Sequence, residues 1–295
     1  MLAELEMHEI EPKPLSTGVL HIIGGKESEE RDRLLVEGLD PGSKVVVACL
    51  ASKHPQQTAD YYQSLYGSMG FTVDTLFRED CTNAEIVKKK TEDAAAAFES
   101  GGNQLRIIMA LADPAMRELF VDIYRRGGRI GGTSAGATMC GELMPYSVDF
   151  TDNTDEGEFD DIALKQAVAV LRKEGNLTKA DILLPGLGLL PKTIIDMHYS
   201  EAQREERLQA AVLAYPEMIG IGIDEDTEFE VHNDGDLCWV RGVGGVHILA
   251  SKYEYARRCH TSNFSDDDMV SINLTDGDSF NLHTLEAMTR VRSGV

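Results

Sequence analysis

Short apolar runs alternate with amphipathic stretches through the first half of the chain. Gly18 to Ile23 is apolar and β-branched and stops at Gly24-Gly25, and Lys44 to Leu50 (KVVVACL) is continuously apolar, as a strand buried on both faces requires. Pro41-Gly42 before it marks a turn. Thr58 to Met69 reads as a helix with Gly70 just past its end, and Phe71 to Leu76 as a third strand. Asn83 to Ser100 reads as a long helix capped by Asn83, with Glu85 in its first turn. Gln104 to Ala110 then reads as a fourth strand. Asp113-Pro114 reads as a cap and first helical residue, followed by Met116, Leu119, Phe120 and Ile123 at helical spacing. Gly128 to Ile130 closes a further short strand, and Ala135 to Met144 reads as a helix. Repeated strand–helix units predict an α/β fold: a mostly parallel sheet, right-handed crossovers, helices on both faces, and a site at the carboxyl ends of the strands.

The second half is less regular. Thr151 to Asp161 is acidic and loop-like, Ile162 to Lys173 has the pattern of an exposed helix, and Leu183 to Leu190 (LLPGLGLL) reads as an interrupted turn. Thr193 to His198 reads as a strand, Ser200 to Leu213 as a helix, and Ile219 to Ile223 as a short strand running into Asp224-Glu225-Asp226. Segments at Glu228–His232, Cys238–Arg241 and Val246–Leu249 suggest a smaller antiparallel element. Nothing rich in Pro, Gly and Ser separates two halves. The expectation is one domain over 1–295, with 1–16 as an N-terminal extension.

Charge and cysteines narrow the function classes. A formal net charge of −22 argues against nucleic-acid binding, which needs a basic stripe. It suits solubility and is compatible with a cationic substrate. No apolar run approaches the roughly 18 residues that span a bilayer, so no membrane partner is expected. Met1 to Glu11 is acidic and lacks the make-up of a signal peptide. The five cysteines have no Cys-x-x-Cys spacing, which predicts reduced thiols, a cytoplasmic location and no zinc site.

The chemistry concentrates at GGTSAGA, Gly131 to Ala137. Ser134 stands between Gly132 and Gly136 in a Gly-x-Ser-x-Gly frame, with a strand before it and a helix after it. Such a turn exposes a serine hydroxyl and aims amides of a helix N-terminus at the same point, so nucleophile and oxyanion hole are built together. A serine nucleophile needs a base and a group to orient it. Of the eight histidines, His198 alone closes an apolar strand at the expected end of the sheet. For the acid, Glu225 ends the next short strand. Asp224 and Asp226 flank it, and Asp152 in the acidic loop is a rival.

HIIGG (His21–Gly25), GGTSAGA, PGLGLLP (Pro185–Pro191), IIDMHY (Ile194–Tyr199) and GIGIDEDT (Gly220–Thr227) occur in this order. Together they resemble the cyanophycinases and the wider peptidase E-like serine peptidases, over about residues 17–290. The resemblance implies a three-layer α/β/α fold related to class I glutamine amidotransferases, and a homodimer. It also implies exo-cleavage of cyanophycin, a poly-aspartate carrying arginine on each side chain, to β-Asp-Arg dipeptides. It makes Ser134 the nucleophile, His198 the base and Glu225 the orienting acid; an acid such as Asp152 would resemble the peptidase E branch. It places the amides of Ala135 and Ala112 on the oxyanion and Asp196, Arg204 and Arg207 in the substrate cleft. It implies no metal and no cofactor. An α-aspartyl dipeptidase or isopeptidase, and a non-catalytic homologue, are the alternatives.

Three departures bear on specificity. The family's Gly-Gly-Asp-Gln segment after the fourth strand falls, on the strand assignment above, on Leu111-Ala112-Asp113-Pro114. Pro114 has neither an N–H nor an amide side chain. Met197 stands where the family has a second glutamine, and Ala202 where it has the first of three arginines. These changes predict weak discrimination for cyanophycin while the catalytic chemistry stays.

Overall fold

The computed structural model of the chain describes residues 18–149, 179–259 and 269–288. The expected acidic loop at Thr151–Asp161, the helix at Ile162–Lys173 and the rival acid Asp152 lie outside them.

Five parallel strands form one half of a nine-stranded sheet. They are β1 (Val19–Ile23), β2 (Lys44–Ala48), β3 (Thr72–Leu76), β4 (Ala94–Glu99) and β5 (Arg129–Thr133), in the order β1-β5-β4-β2-β3. The other half is antiparallel: β10 (Thr227–His232) pairs with β1, followed by β11 (Leu237–Gly242), β14 (Ser279–Asn281) and β15 (Glu286–Met288). A second, six-stranded sheet contains β6 (Gly141–Asp149), β7 (Lys179–Pro185), β8 (Leu190–Met197), β9 (Ile219–Ile223), β12 (Gly245–Ser251) and β13 (Met269–Thr275). Its order is β13-β12-β9-β8-β6-β7, parallel only at β9-β8-β6. The expectation of a mostly parallel sheet is therefore corrected. Both sheets are mixed, because hairpin-connected strands from the second half extend the parallel core.

Alternation along the parallel strands sorts their side chains onto two faces. Val45, Val47, Ala96 and Phe98 pack with α1 (Glu29–Leu34), its following residues Leu35 and Val36, and α2 (Pro55–Ser68). Leu20, Ile22, Val46, Ala97 and Ile130 face the other way, onto α3 (Ala84–Thr91) and α5 (Pro114–Arg125). That second cluster runs on into Ile195, Ile221 and Ile248, so one apolar core joins the two sheets. Helix α7 (Glu205–Ala214) covers the far side of the smaller sheet through Leu208 and Val212, and α8 (Lys252–Cys259) follows β12.

Four local expectations fail. The long helix expected at Asn83–Ser100 is α3, capped by Asn83 accepting from the Glu85 amide, and then strand β4. Alanine is the best helix former, but Ala94 to Glu99 sits between β5 and β2 almost wholly buried, and tertiary burial overrides propensity. Gln104–Ala110, expected as a strand, is α4, with Asn103 accepting from the Leu105 amide as its cap. The helix expected from Ala135 to Met144 is the single turn α6 (Ala135–Thr138), and the chain becomes β6 at Gly141. Leu183 to Pro185 likewise belongs to β7 rather than to a turn.

Candidate active site

Strand β5 ends at Thr133, and the chain turns at Ser134 with φ 51° and ψ −117° before α6 begins. Neither strand nor helix has these angles, and such a conformation costs a non-glycine residue about 1–3 kcal/mol. The turn is held from both sides: Ser134 N donates to Ile23 O at 3.0 Å, and Ala137 N donates to Ser134 O at 3.0 Å. A Cβ at Gly136 would come within 2.1 Å of Glu99 O, so the turn closes onto β4 only with glycine there. Strain gathers in this place. Of the nine non-glycine residues with positive φ among the described residues, Lys26, Ser134, His198 and Asp226 all belong to the loops that meet here.

The smaller sheet supplies the partners. His198 follows β8, and its amide donates to Gly24 O at 2.9 Å, which ties the histidine loop to the end of β1. Its Nε2 lies 2.9 Å from Ser134 Oγ and its Nδ1 2.8 Å from Glu225 Oε1. Glu225 lies two residues beyond the end of β9, and the adjoining Asp226 N donates to Gly25 O at 2.9 Å. Gly25 has φ 110°, and a Cβ there would lie 2.2 Å from His198 Cε1, so the imidazole rests against bare backbone. With Glu225 accepting at Nδ1–H, Nε2 is left to accept the serine proton. Lys26 Nζ reaches the same Glu225 oxygen at 3.0 Å and holds that carboxyl below its usual range.

The structure separates the three described acids named from the sequence. Asp224 accepts from the amides of Ser200 and Gly245 and meets His247, and Asp226 accepts from Ser28. Glu225 alone among the described candidates reaches His198.

The segment after the fourth strand must be relocated. Because that strand is β4, the residues that follow it are Ser100-Gly101-Gly102-Asn103-Gln104, about ten positions before the expected Leu111–Pro114. A Cβ on Gly101 would lie 3.4 Å from Ser134 Cβ, so this loop runs directly beside the serine. Gln104 is present and buried, its Nε2 donating to Pro145 O at 3.0 Å. Ala112, expected on the oxyanion, sits between α4 and α5 and lines a different pocket with Met139, Met144 and Leu187. Pro114 is the first residue of α5. Ala135 heads α6, next to Ser134.

Asp196, Arg204 and Arg207 come together, but not in the serine cleft. Asp196 is wholly buried; Arg207 Nε donates to it at 2.7 Å, with a second bond from Nη2, and Arg204 Nη1 lies 3.2 Å away. Arg207 also reaches Ser147 Oγ at 2.7 Å, and Arg204 reaches Met197 O at 2.7 Å. The three join β8 to α7 and β6. A buried carboxylate so paired is a structural cluster, and removal of either partner leaves an uncompensated charge.

A cleft of about 310 Å3 opens over Ser134. Its walls include Gly101 and His198, and also Lys26, Glu27, Tyr62 and Ser100, none of which the sequence singled out. The signal for the first two was the polar pair directly after HIIGG, at the carboxyl end of β1. Among the described residues, His21, Glu228 and Glu230 lie close enough to hold a metal ion, their ligand atoms within 4.8 Å of one another. They lie in the sheet on β1 and β10, where Arg241 already pairs with Glu230 at 2.8 Å. No described helix is long and apolar enough to cross a membrane.

Two mixed sheets joined at a strained serine turn, with a histidine and a glutamate in line behind it, define a hydrolase-like site. The chain belongs to peptidase family S51, whose model matches residues 43–237. It is similar to cyanophycinases: the protein of Nostoc sp. is 32% identical over 248 residues, covering 81% of this chain and 75% of the relative. That of Thermosynechococcus vestitus is 29% identical over 283 residues, covering 90% and 80%. Among solved structures, a peptidase from an acI-B1 actinobacterium superposes with a TM-score of 0.59 at 19% identity, covering 92% of this chain and 99% of that one. A putative peptidase E protein from Listeria monocytogenes gives 0.51 at 16%, covering 77% and 100%. At these identities the two structures establish a shared fold.

Proposed function

We propose that the chain is a serine-type exopeptidase that hydrolyses cyanophycin, or a related aspartyl or β-aspartyl peptide, through an acyl-enzyme. The observation that carries this reading is the line Ser134 Oγ, His198 Nε2, His198 Nδ1, Glu225 Oε1, with both steps under 3 Å. Ser134 Oγ attacks the scissile carbonyl carbon while His198 Nε2 takes its proton. Glu225 balances the imidazolium so formed. The amide of Ala135 and one from the Gly101-Gly102 turn are the donors best placed for the oxyanion. His198 then hands the proton to the leaving amine, the C–N bond breaks, and water, activated by the same nitrogen, hydrolyses the ester.

The relocation of the glycine segment alters the specificity argument. With Gly101, Gly102 and Gln104 following the fourth strand, this segment no longer argues for weak discrimination, and only Met197 still departs from the family's glutamines. Incubation of the purified protein with cyanophycin, β-aspartyl-arginine and α-aspartyl dipeptides, with product release followed by mass spectrometry, tests the reading. Release of β-Asp-Arg units from polymer is expected. No hydrolysis of any of the three, or hydrolysis undiminished in Ser134→Ala, refutes it.

A further inference from the structure

We propose that Glu27 forms, together with Ser100, a subsite beside Ser134 for a cationic nitrogen group of the substrate, an ammonium or a guanidinium carried next to the scissile carbonyl. The inference rests on the peptidase reading above and adds to it the charge of the group bound.

Glu27 lies on the wall of the serine cleft. Thr133 Oγ1 donates to its Oε2, and Tyr62 OH lies 3.4 Å from its Oε1, so the groups next to the carboxylate are neutral hydroxyls. Among the described residues no cation pairs with Glu27. The neighbouring Lys26 turns the other way, onto Glu225 at 3.0 Å. Directly behind lies a second carboxyl: Asp32 is buried, and accepts from Tyr61 OH at 2.7 Å and from the same Tyr62 OH at 3.1 Å. Burial, and after it the charge of Glu27, push the Asp32 carboxyl up to about 7.

The independent observation is Ser100. Its side chain is 2% exposed, it lines the same cleft, and its Oγ has no hydrogen-bond partner. A buried hydroxyl without a partner carries an unmet desolvation penalty. A ligand N–H satisfies it, since the hydroxyl oxygen accepts. An unneutralised carboxylate and a vacant acceptor on the walls of one cleft match a group that donates several hydrogen bonds and carries positive charge.

The test compares β-aspartyl-arginine peptides with their citrulline isosteres, each with a free and with an acetylated α-amino group. Wild type is expected to favour a cationic form by about 10- to 100-fold in kcat/KM. Loss of preference with citrulline identifies a guanidinium, and loss with acetylation an ammonium. Glu27→Gln is expected to collapse the ratio towards one, and Ser100→Ala to narrow it by a smaller factor. A wild-type ratio near one, or a Glu27→Gln variant that lowers all substrates alike, overturns the subsite. Titration of argininamide into Ser134→Ala by calorimetry reads the subsite without turnover. Binding that Glu27→Gln weakens about tenfold or more, in a protein that cleaves no peptide, keeps the subsite and refutes the peptidase reading. Absence of binding, together with a substrate ratio near one, refutes the subsite alone.

Discussion

Two sets of serine, histidine and acid lie side by side among the described residues, and only one has its imidazole in line between serine and acid. Ser134, His198 and Glu225 use the two nitrogens of one imidazole in line. Ser200, His247 and Asp224 are the neighbouring set: Ser200 is two residues after His198, and Asp224 immediately precedes Glu225. There a single nitrogen, His247 Nε2, meets both Ser200 Oγ at 3.4 Å and Asp224 Oδ2 at 3.1 Å, while Nδ1 turns to Asn273 at 2.9 Å. The acid therefore competes with the serine for one proton instead of orienting the ring behind it. Asp224 is also engaged by the Ser200 and Gly245 amides; burial acts to raise its pKa, but the His247 bond first, then the Ser200 side chain and these amides, hold it well below the usual carboxylate range. The first set sits on a strained turn. The second ties the loop after β8 to the turn after β9 and so keeps His198 and Glu225 in register. Residue type does not separate the two; ring-nitrogen assignment and backbone conformation do.

The largest test of that contrast is at the serines. Ser134→Ala is expected to lower kcat/KM by about three orders of magnitude or more with an unchanged thermal midpoint. Ser200→Ala, measured on the same peptide, is expected to stay within about threefold of wild type. Equal losses would remove the distinction.

The acids come next. Glu225→Gln keeps the shape but removes the charge that balances the imidazolium, and a loss of about 10²- to 10⁴-fold is expected in kcat. Asp224→Asn leaves a poorer acceptor for two amides and a His247 without its carboxylate partner. It is expected to act on stability, by about 1–3 kcal/mol in urea unfolding, with kcat reduced less than about tenfold. A reversed order of the kcat losses would move the orienting role to Asp224.

How far the sequence foretold this follows from where each feature is encoded. Ser134, His198 and Glu225 each end a strand that is legible locally, and the structure joins the three. Strands β1, β2, β3, β5 and β9 and helices α2 and α5 carry their own turn and cap signals and fall close to the expected ranges. Ala94–Glu99 and Gln104–Ala110 were interchanged because an alanine run favours helix and Ile107-Ile108 favours strand until burial decides. That one exchange displaced the Gly-Gly-x-Gln segment by about ten residues and carried Leu111-Ala112 into the site in place of Gly101-Gly102. Lys26, Glu27, Tyr62 and Ser100 were missed for a different reason. They come from the ends of β1 and β4 and from α2, and only the strand order brings them together. The pairing of Asp196 with Arg204 and Arg207 is likewise a product of the smaller sheet's topology.

Lys26 sharpens the first set with a smaller effect. Its ammonium is largely exposed, yet its bond to Glu225 is the main reason that carboxyl lies below its usual range. In Lys26→Met the carboxyl titrates at higher pH, so Glu225 loses its charge sooner as pH falls. The acid limb of the kcat/KM profile is expected to move upward, with rates at pH 8 within a few-fold of wild type. An unmoved limb would show that Glu225 does not depend on Lys26.

The smallest effect probes the second set alone. The hydrogen bond to Asp224 raises the pKa of His247 above its usual value, helped by Asn273 and opposed by burial. The folded state therefore holds the proton more tightly than the unfolded chain does. The resulting stabilisation is fully present below the unfolded value of about 6.5 and is lost as pH rises through the folded one. The ring is partly open to solvent, which limits the term to about 1 kcal/mol. His247→Gln is thus expected to be less stable than wild type at pH 5–6, with the gap narrowing towards pH 9, and to keep kcat within about threefold. Urea unfolding at those pH values, run beside the peptide assay, checks both halves. A pH-independent stability loss would mean that His247 is held neutral. A loss of kcat comparable to that of Glu225→Gln would mean that the two sets are one catalytic unit.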